Sequence, residues 1–206
     1  MARSKTSRAW MKEHVNDPYV QRAKAEGYRS RAAYKLMELD AKDRLLAPGR
    51  VVVDLGATPG GWAQVAAAKV GPRGKVIAVD LLDMEPLPGV TFIRGDFTTD
   101  ATLAELDAAL GGRPVDLVLS DMAPNISGVP SSDAPRMIYL NELAADFAFQ
   151  RLTEHGALLM KTFQGPGFPE LIRMLKTRFR QVMSRKPDAS RDRSPEMYLL
   201  ARELRR

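Results

Sequence analysis

The segment "VVVDLGATPGGW", residues 51–62, is the clearest indication of the fold. A short apolar run, typical of a buried strand, stops at a turn that contains three glycines and a proline. Gly56, Gly60 and Gly61 have the spacing G-x-x-x-G-G, whereas a dinucleotide-binding turn has G-x-G-x-x-G. The turn also lacks the Lys-Ser/Thr pair of a triphosphate-binding loop. It therefore favours a ligand that approaches the backbone closely and carries no pyrophosphate.

Strands and helices alternate along the chain around this turn. Strands are predicted at residues 50–56, 74–82, 89–97, 114–124, 157–165, 180–187 and 196–205. Helices are predicted at residues 30–45, 61–71, 102–112, 134–156 and 168–179, with Ser30 as the first cap, Gly156 as a helix stop and "NDPY", residues 16–19, as a turn. We therefore predict an α/β fold with a mostly parallel seven-stranded sheet and helices on both faces.

The composition is that of an ordinary globular domain. The chain has 206 residues, of which 45% are hydrophobic and 27% charged, enough for one domain with its own core. It has no cysteine and only two histidines, His14 and His155, so we expect no disulfide and no metal site. No apolar run approaches the roughly 20 residues of a membrane helix, and the N-terminus has no secretory leader. We expect a cytoplasmic protein without membrane association.

The net charge of +6 is unevenly distributed. Residues 1–35 carry nine basic and three acidic side chains, residues 36–175 carry 12 and 18, and residues 176–206 carry 10 and four. One interpretation is an ordinary solvated surface. The other is that both basic ends fold onto one face and neutralise nucleic-acid phosphates. We divide the chain into a basic N-terminal extension, residues 1–28, and a single domain, residues 29–206.

Acidic residues follow two of the predicted strands. Asp80 ends the strand after the glycine turn, and Asp96 follows the next strand. Because parallel strands end at one edge of a sheet, Asp80 can accept both hydroxyls of a ribose there, and Asp96 can accept from an adenine amine. Either aspartate alone is also explained as a turn residue. Together with the glycine turn they favour S-adenosylmethionine, which joins an adenosine to an amino acid through a sulfonium.

Five segments then occur in a recognisable order: "SRAAYKLMELD", "DLGATPGGW", "SDMAPNISG", "KTFQG" and "KPDASRDRSPEMYLL". They resemble the FtsJ/RrmJ (RlmE) family of bacterial large-subunit ribosomal RNA 2′-O-methyltransferases, from about residue 17 onward. The resemblance implies a Rossmann-like methyltransferase fold that uses S-adenosylmethionine. It implies a catalytic tetrad of Lys35, Asp121, Lys161 and Glu196, and cofactor contacts at Gly60, Trp62, Asp80, Asp96 and Asp121.

The same resemblance implies the substrate. It is a uridine in the A loop of 23S rRNA, methylated within the assembled 50S ribosomal subunit. We expect the protein to act on it as a monomer.

The residues themselves agree with such a reaction. A ribose 2′-hydroxyl is a poor nucleophile, so a base must take its proton as the oxygen attacks the sulfonium methyl. Lys161 follows an apolar strand and is the expected base, although an ordinary lysine keeps its proton up to about pH 10. Burial and a second cation, Lys35, favour loss of that proton, whereas Asp121 and Glu196 oppose it and are expected to hold both ammonium groups in place.

Basic residues precede two members of the tetrad. Those before Lys35 are Arg3, Lys5, Arg8, Lys12, Arg22, Lys24, Arg29 and Arg31, and those before Glu196 are Lys186, Arg191 and Arg193. This order favours contacts with RNA phosphates beside the site. Trp10 and Tyr28 are candidates to stack on a base or, equally, to pack against the core.

Two other functions stay open. Amino-group methyltransferases use a [DNS]-P-P-aromatic loop, but "DMAPN" lacks the second proline and has Asn125 in place of the aromatic residue. An amine nucleophile also needs no lysine base. A non-catalytic RNA-binding or ribosome assembly factor would keep the fold with a damaged tetrad, and here all four residues are present. An NAD(P) oxidoreductase is excluded by the glycine spacing.

Overall fold

A computed structural model describes residues 17–125, 127, 130–190 and 194–205. Its strands are β1 Val51–Leu55, β2 Lys75–Asp80, β3 Val90–Arg94, β4 Val115–Ser120, β5 Leu152–Phe163, β6 Phe179–Arg185 and β7 Glu196–Leu204. Its helices are α1 Pro18–Ala25, α2 Ala32–Asp43, α3 Gly61–Val70, α4 Asp100–Leu110, α5 Pro130–Arg151 and α6 Phe168–Arg178. Within these ranges no helix has the length and apolar character needed to cross a membrane.

The strands form one seven-stranded sheet in the order β3-β2-β1-β4-β5-β7-β6. The first five of these are parallel, and β7 runs antiparallel between β5 and β6. The predicted α/β fold with a mostly parallel seven-stranded sheet is therefore confirmed. The chain builds outward in one direction from β1 and in the other from β4, so the crevice between the ends of these two strands is where such folds bind ligands.

Two separate cores cover the two faces of the sheet. Val51, Val53 and Leu55 of β1 pack in a core with α4, α5 and α6, whereas Val52 packs in a core with α2 and α3. This division follows from the alternation of side chains along a strand. All five residues of β1 are buried, which explains why its sequence shows no polar alternation.

A helix occupies the region where a turn was expected at residues 16–19. Asp17 caps α1, because its carboxylate accepts a hydrogen bond of 3.0 Å from the N–H of Tyr19. Pro18 begins the helix at a position where a missing N–H costs nothing. The prediction of a turn is therefore wrong from Pro18 onward, whereas the accompanying expectation of some helix within residues 1–28 is confirmed for Pro18–Ala25. Residue 16 lies outside the described part of the chain.

The start of α2 also differs from the prediction. The helix begins at Ala32, with Arg31 at the cap position and no side-chain cap. Ser30 is not the cap, because its hydroxyl is buried without a hydrogen-bond partner and lies where a Cβ on Gly61 would be. Ser30 therefore packs against the glycine turn.

The end of α5 is the third difference. The helix stops at Arg151 and not at Gly156, because buried Leu152 pairs with Val115 of β4 and starts β5. The register shifts between Val115 and Leu117, so β5 bulges before it settles into the sheet. Gly156 lies in this bulge, where a Cβ would approach Leu152 Cδ2 to 2.9 Å.

A largely buried ion pair joins α2 to the edge strand β6. The guanidinium of Arg185 donates two hydrogen bonds of 2.7 Å to the carboxylate of Asp43, and the two side chains are 16% and 8% exposed. These hydrogen bonds lower the pKa of Asp43, although burial opposes them. The pair holds the end of α2 against the sheet.

We expect Arg185→Gln to lower the free energy of unfolding by about 2–3 kcal/mol, because Asp43 is left buried without its partner. The folded-state pKa of Asp43 lies below the unfolded-state value, so the effect is complete above about pH 4 and is lost as the pH falls below it. Urea titrations at several pH values measure both features. Arg173→Gln removes an exposed pair with Glu170 and should cost less than about 0.5 kcal/mol; equal losses in the two variants would contradict the expectation.

Candidate active site

A cavity of about 440 Å³ opens at the carboxyl edge of the sheet, beside the crevice between β1 and β4. The turns after four parallel strands form its walls together with α5. Its polar lining residues are Thr58, Asp80, Asp96, Thr98, Asp121 and Tyr139, and its apolar ones include Leu81, Leu82, Phe97, Met122 and Leu140. Apolar walls with a few fixed carboxylates are typical of a nucleoside site.

Three predicted cofactor residues, Asp80, Asp96 and Asp121, line this cavity. Asp80 accepts hydrogen bonds from the N–H groups of Thr58 at 2.9 Å and Leu82 at 2.8 Å. Asp96 accepts from the N–H of Thr98 at 2.9 Å and from its hydroxyl at 2.7 Å. These local bonds fix both carboxylates, and each retains acceptor capacity for a ligand, since a carboxylate can accept about four hydrogen bonds.

Gly60, a fourth predicted cofactor residue, borders neither this cavity nor the smaller one beside it. Its φ of 103° lies in the region that favours glycine. A Cβ there would lie 2.8 Å from Leu87 Cδ1 and 2.9 Å from Met84 Sδ. Gly60 therefore shapes the turn and lets the loop that contains Met84 and Leu87 pack on it.

Trp62, the fifth predicted cofactor residue, is buried at the start of α3. Its indole N–H donates to the carbonyl of Ala32 at 2.7 Å, and its ring packs on Tyr198 with centroids 5.6 Å apart. Trp62 lines only the smaller cavity, of about 60 Å³, which lies between the glycine turn and Asp121.

The smaller cavity is also lined by a carboxyl group that the sequence reasoning missed. Asp54, near the end of β1, is 1% exposed, and neither oxygen accepts a hydrogen bond of ordinary geometry from the described residues. Burial, and then the charges of Asp121 and Asp80, raise the pKa of Asp54 well above its ordinary value, and a contact with the backbone N–H of Ala63 opposes them. Such a buried group requires a donor or a cation, and the ammonium of an amino-acid ligand meets that need. In the sequence, Asp54 is distinguished only as the single acidic residue within the apolar run of residues 51–55.

Two lysine–carboxylate pairs lie beside these cavities. Lys161 Nζ is 3.1 Å from Asp121 Oδ1 and also donates to the backbone carbonyl of Asp121. Lys35 Nζ is 2.5 Å from Glu196 Oε1. The structure thus brings together all four residues of the expected tetrad, from α2, the end of β4, β5 and β7.

The antiparallel pairing of β5 and β7 positions three of these side chains. Lys161 is paired with Tyr198, and Phe163 with Glu196. Because side chains alternate along a strand, Lys161, Tyr198 and Glu196 share one face of the sheet. Asn141 of α5 donates to the carbonyl of Lys161 at 2.6 Å and holds this part of β5 in place.

Tyr198 links the two pairs and was not recognised in the sequence, where it reads as a core residue of a strand. Its hydroxyl donates to Asp121 Oδ1 at 2.9 Å, and Lys35 Nζ lies 5.8 Å from its ring centroid. Burial, followed by the charges of Asp121 and Glu196, raises the pKa of Tyr198 well above its ordinary value. Tyr198 is therefore a neutral donor, and one oxygen of Asp121 serves both Tyr198 and Lys161.

Glu196 keeps its negative charge although it is largely buried. Burial alone would raise the pKa of Glu196, but the charge and hydrogen bond of Lys35, the charge of Lys161 and the Ser190 hydroxyl at 2.9 Å together lower it. The charge of Glu196 thus responds to both lysines, which places the four groups in one electrostatic cluster.

Described residues from the two basic regions of the chain meet beside Lys35. Arg31 donates to the carboxylate of Asp17 and to the carbonyl of Ala189, and the N–H of Ala189 donates to Glu38 at 3.1 Å. A third cavity of about 240 Å³ lies here, lined by Arg31, Lys35, Ser194 and Glu196.

Several of the expected RNA-binding cations have partners within the protein. Arg29 donates to three backbone carbonyls, Lys186 donates to the carbonyl of Ser194, and Arg22 pairs with Glu26. Lys24 is exposed. The residues that lie outside the described part of the chain are Arg3, Lys5, Arg8, Trp10, Lys12, His14, Arg191 and Arg193.

The family model of FtsJ-like methyltransferases matches residues 28–204. The chain belongs to this family. It is 62% identical over 205 residues to the Ribosomal RNA large subunit methyltransferase E of Azoarcus sp. (strain BH72). The match covers 100% of both chains.

Solved structures agree with this assignment. A ribosomal RNA methyltransferase from Plasmodium falciparum matches with a TM-score of 0.75 and 31% identity, over 86% of this chain and 98% of that one. A methyltransferase from Streptococcus mutans, solved in complex with SAH, matches with a TM-score of 0.52 and 13% identity over 84% and 96% of the two chains, which shows the shared fold alone. The expected Rossmann-like methyltransferase fold is confirmed.

Asp54→Asn tests the interpretation of the buried carboxyl group. We expect the variant without ligand to be more stable than the wild type by about 1–3 kcal/mol near neutral pH, because no charge has to be buried. The folded-state pKa of Asp54 is raised, so the wild type loses stability as the pH rises above about 4, and the gain from Asn grows with pH. Thermal unfolding at several pH values measures this. Asp116→Asn is the control, because the Asp116 carboxylate accepts a hydrogen bond of 2.8 Å from the N–H of Val51, and no gain in stability is expected there. A gain in stability in Asp116→Asn, or no gain in Asp54→Asn, would refute the interpretation.

Proposed function

We propose that this protein methylates the ribose 2′-oxygen of a uridine in large-subunit ribosomal RNA, with S-adenosylmethionine as methyl donor. The observation that carries the proposal is the placement of two lysine–carboxylate pairs beside a nucleoside-sized cavity. The name of the relative from Azoarcus supports large-subunit RNA as the substrate class. The finer expectations, the A loop of 23S rRNA within the 50S subunit and action as a monomer, are carried over from the family resemblance.

The residues of the two cavities fit the methyl donor. Asp80 would hold the ribose hydroxyls and Asp96 the adenine amine, while Asp54 and Asp121 border the smaller cavity and suit the ammonium of the methionine part. S-adenosylmethionine supplies a methyl group on a positively charged sulfur. Gly56 and Gly61 line the smaller cavity, and Met122 and Ser30 fill the positions that their side chains would take.

Lys161 would accept the proton of the 2′-hydroxyl. In the protein the ammonium group of Lys161 lies 3.1 Å from a carboxylate oxygen of Asp121. Asp121 borders both cavities, so a cation bound beside it would share that carboxylate. Exclusion of water by bound RNA would strengthen the interactions among these charges.

The RNA would approach from the side of Lys35. The cavity lined by Arg31, Lys35, Ser194 and Glu196 opens there, where described residues from the two basic regions of the chain meet. Glu196 would keep Lys35 in place while the phosphates contact the exposed cations around it.

Two alternative functions are less consistent with the geometry. An assembly factor without activity has no need of two aligned lysine–carboxylate pairs. An amino-group methyltransferase would place a stacking aromatic after Asp121, but Asn125 is exposed there and does not line the cavity among the described residues.

The proposal is tested with labelled S-adenosylmethionine and large ribosomal subunits that lack their native methylations. We expect the label in 2′-O-methyluridine after digestion of the RNA to nucleosides. Label on a base or on a ribosomal protein would support the amino-group function. Binding of the cofactor without any transfer would support the assembly factor.

Lys161→Ala is expected to slow single-turnover methyl transfer by about 10²–10⁴-fold, because the general base is lost. Lys161→Arg should be equally slow, since a guanidinium keeps the positive charge but does not deprotonate. Rapid-quench measurements with saturating RNA give the rates, and calorimetry with S-adenosylhomocysteine checks that the cofactor site is intact. Near wild-type turnover by either variant would remove Lys161 as the base.

Asp80→Asn is expected to weaken S-adenosylhomocysteine binding by about tenfold, because one charged acceptor for the ribose hydroxyls is lost. Asp83→Asn is the matched control: Asp83 is exposed, pairs with Arg94 and lies outside the cavity lining. Calorimetry of the two variants gives the comparison. Equal affinities for wild type and Asp80→Asn would sink the assignment of Asp80.

A further inference from the structure

The residues that lead into α2 are bonded to the glycine turn and to the start of α3. We call residues 27–32 the linking segment. Its contacts are Arg29 Nη1 to the carbonyl of Pro59 at 3.3 Å, the N–H of Arg29 to Gln64 Oε1 at 3.1 Å, Gln64 Nε2 to the carbonyl of Gly27 at 2.9 Å, and the indole N–H of Trp62 to the carbonyl of Ala32 at 2.7 Å. Four hydrogen bonds therefore join two parts of the chain that are about thirty residues apart.

Arg29 also reaches a second loop of the cofactor cavity. Its guanidinium donates to the carbonyls of Glu85 at 2.6 Å and Pro86 at 2.7 Å. A Cβ on Gly60 would lie 3.2 Å from Arg29 Cδ, so the arginine stem packs directly on the glycine turn. One planar guanidinium thus holds carbonyls from two separate loops, which a lysine ammonium on a flexible stem does not reproduce.

Pro59 lines the smaller cavity, whereas Glu85 and Pro86 lie beyond Leu82, which lines the larger one. Pro59 follows Thr58, whose N–H donates to Asp80 and whose hydroxyl donates to the carbonyl of Leu82 at 3.2 Å. Glu85 follows Leu82 by three residues. The linking segment continues into α2, where Lys35 comes three residues after Ala32, about one helical turn.

We propose that Arg29 is a positioning residue that couples cofactor binding to RNA binding. It holds the glycine turn and the 85–86 loop against the linking segment, and that segment carries Arg31 and leads into Lys35. A cofactor that orders the two loops thereby orders the RNA side of the site, and RNA does the same in return. By thermodynamic linkage each ligand then raises the affinity of the other by the same factor. The inference rests on the function proposed above, since it takes the two ligands to be the methyl donor and RNA.

The competing role for Arg29 is the one expected from the sequence, a direct contact with an RNA phosphate. Its carbonyl partners argue against that role, because they occupy three of the five N–H groups of the guanidinium and fix its orientation. The two roles differ in what they affect. A phosphate contact changes the salt dependence of RNA binding and leaves cofactor affinity alone, whereas a positioning residue changes cofactor affinity and the coupling.

Arg29→Lys separates the two roles, because it keeps the charge and removes the planar fork. We measure S-adenosylhomocysteine affinity by calorimetry, and RNA affinity by fluorescence anisotropy with and without S-adenosylhomocysteine at several salt concentrations. We expect S-adenosylhomocysteine to bind about tenfold more weakly. We also expect the ratio of RNA affinities with and without it to fall towards one, and the salt slope to stay unchanged. Lys24→Gln, in α1, is the matched control: its salt slope should fall by about one, with unchanged S-adenosylhomocysteine affinity.

The inference would be overturned if Arg29→Lys bound S-adenosylhomocysteine as tightly as the wild type and showed the same coupling. It would also be overturned if, in the wild type itself, the ratio of RNA affinities with and without S-adenosylhomocysteine were one. Gln64→Ala provides a second variant in case Arg29→Lys is unfolded at the assay temperature. It removes the hydrogen bonds to the carbonyl of Gly27 and from the N–H of Arg29. Smaller losses of S-adenosylhomocysteine affinity and of coupling are expected. The methyl-transfer assay on the wild type separates the two hypotheses. Coupling without methyl transfer would refute the proposed function alone, and methyl transfer without coupling would refute the role of Arg29 alone.

Discussion

The register between β5 and β7 is the constraint that brings the Lys35–Glu196 pair beside the Lys161–Asp121 pair. It places Tyr198 opposite Lys161 and puts Glu196 on the same face two residues away. A slip of one residue would turn Tyr198 and Glu196 to the opposite face of the sheet. Since β7 lies between β5 and β6, hydrogen bonds on both of its edges fix that register. The antiparallel strand β7 therefore carries Tyr198 and Glu196 of the proposed catalytic cluster, and the turns after the parallel strands line the proposed cofactor cavity.

Asp121 is the point where the two halves meet. Its carboxylate contacts Lys161 and Tyr198 and borders both cavities next to the glycine turn. Buried charges of this kind contribute little to stability unless every partner is in place. Burial raises the pKa of Asp54 and favours its neutral form, whereas a cation bound beside it would favour the charged form. The arrangement favours a site whose electrostatics change when the cofactor binds, which is what a lysine base that must lose its proton requires.

The sequence predicted the parts of the molecule that follow from local patterns. Apolar strands and glycine-ended helices predicted the sheet, and acidic residues after strands predicted Asp80 and Asp96 at the cavity. Lys35 came from the resemblance alone, because its position depends on a contact with a strand 161 positions later in the chain. Asp54 was hidden inside an apolar strand, where only the three-dimensional surroundings reveal that it lacks a partner. Arg29 looked like one more surface cation, since charge patterns do not show which carbonyls a guanidinium will meet.

The most direct test of the base is the pH dependence of methyl transfer within the preformed complex. Single-turnover rates are measured from acid to alkaline pH with cofactor and RNA both saturating. We expect the wild-type rate to rise by about tenfold per pH unit and then level off, because only the neutral form of Lys161 accepts the proton. We expect Lys161→Ala to show no such rise. A wild-type rate that does not change with pH would contradict a role for Lys161 as general base.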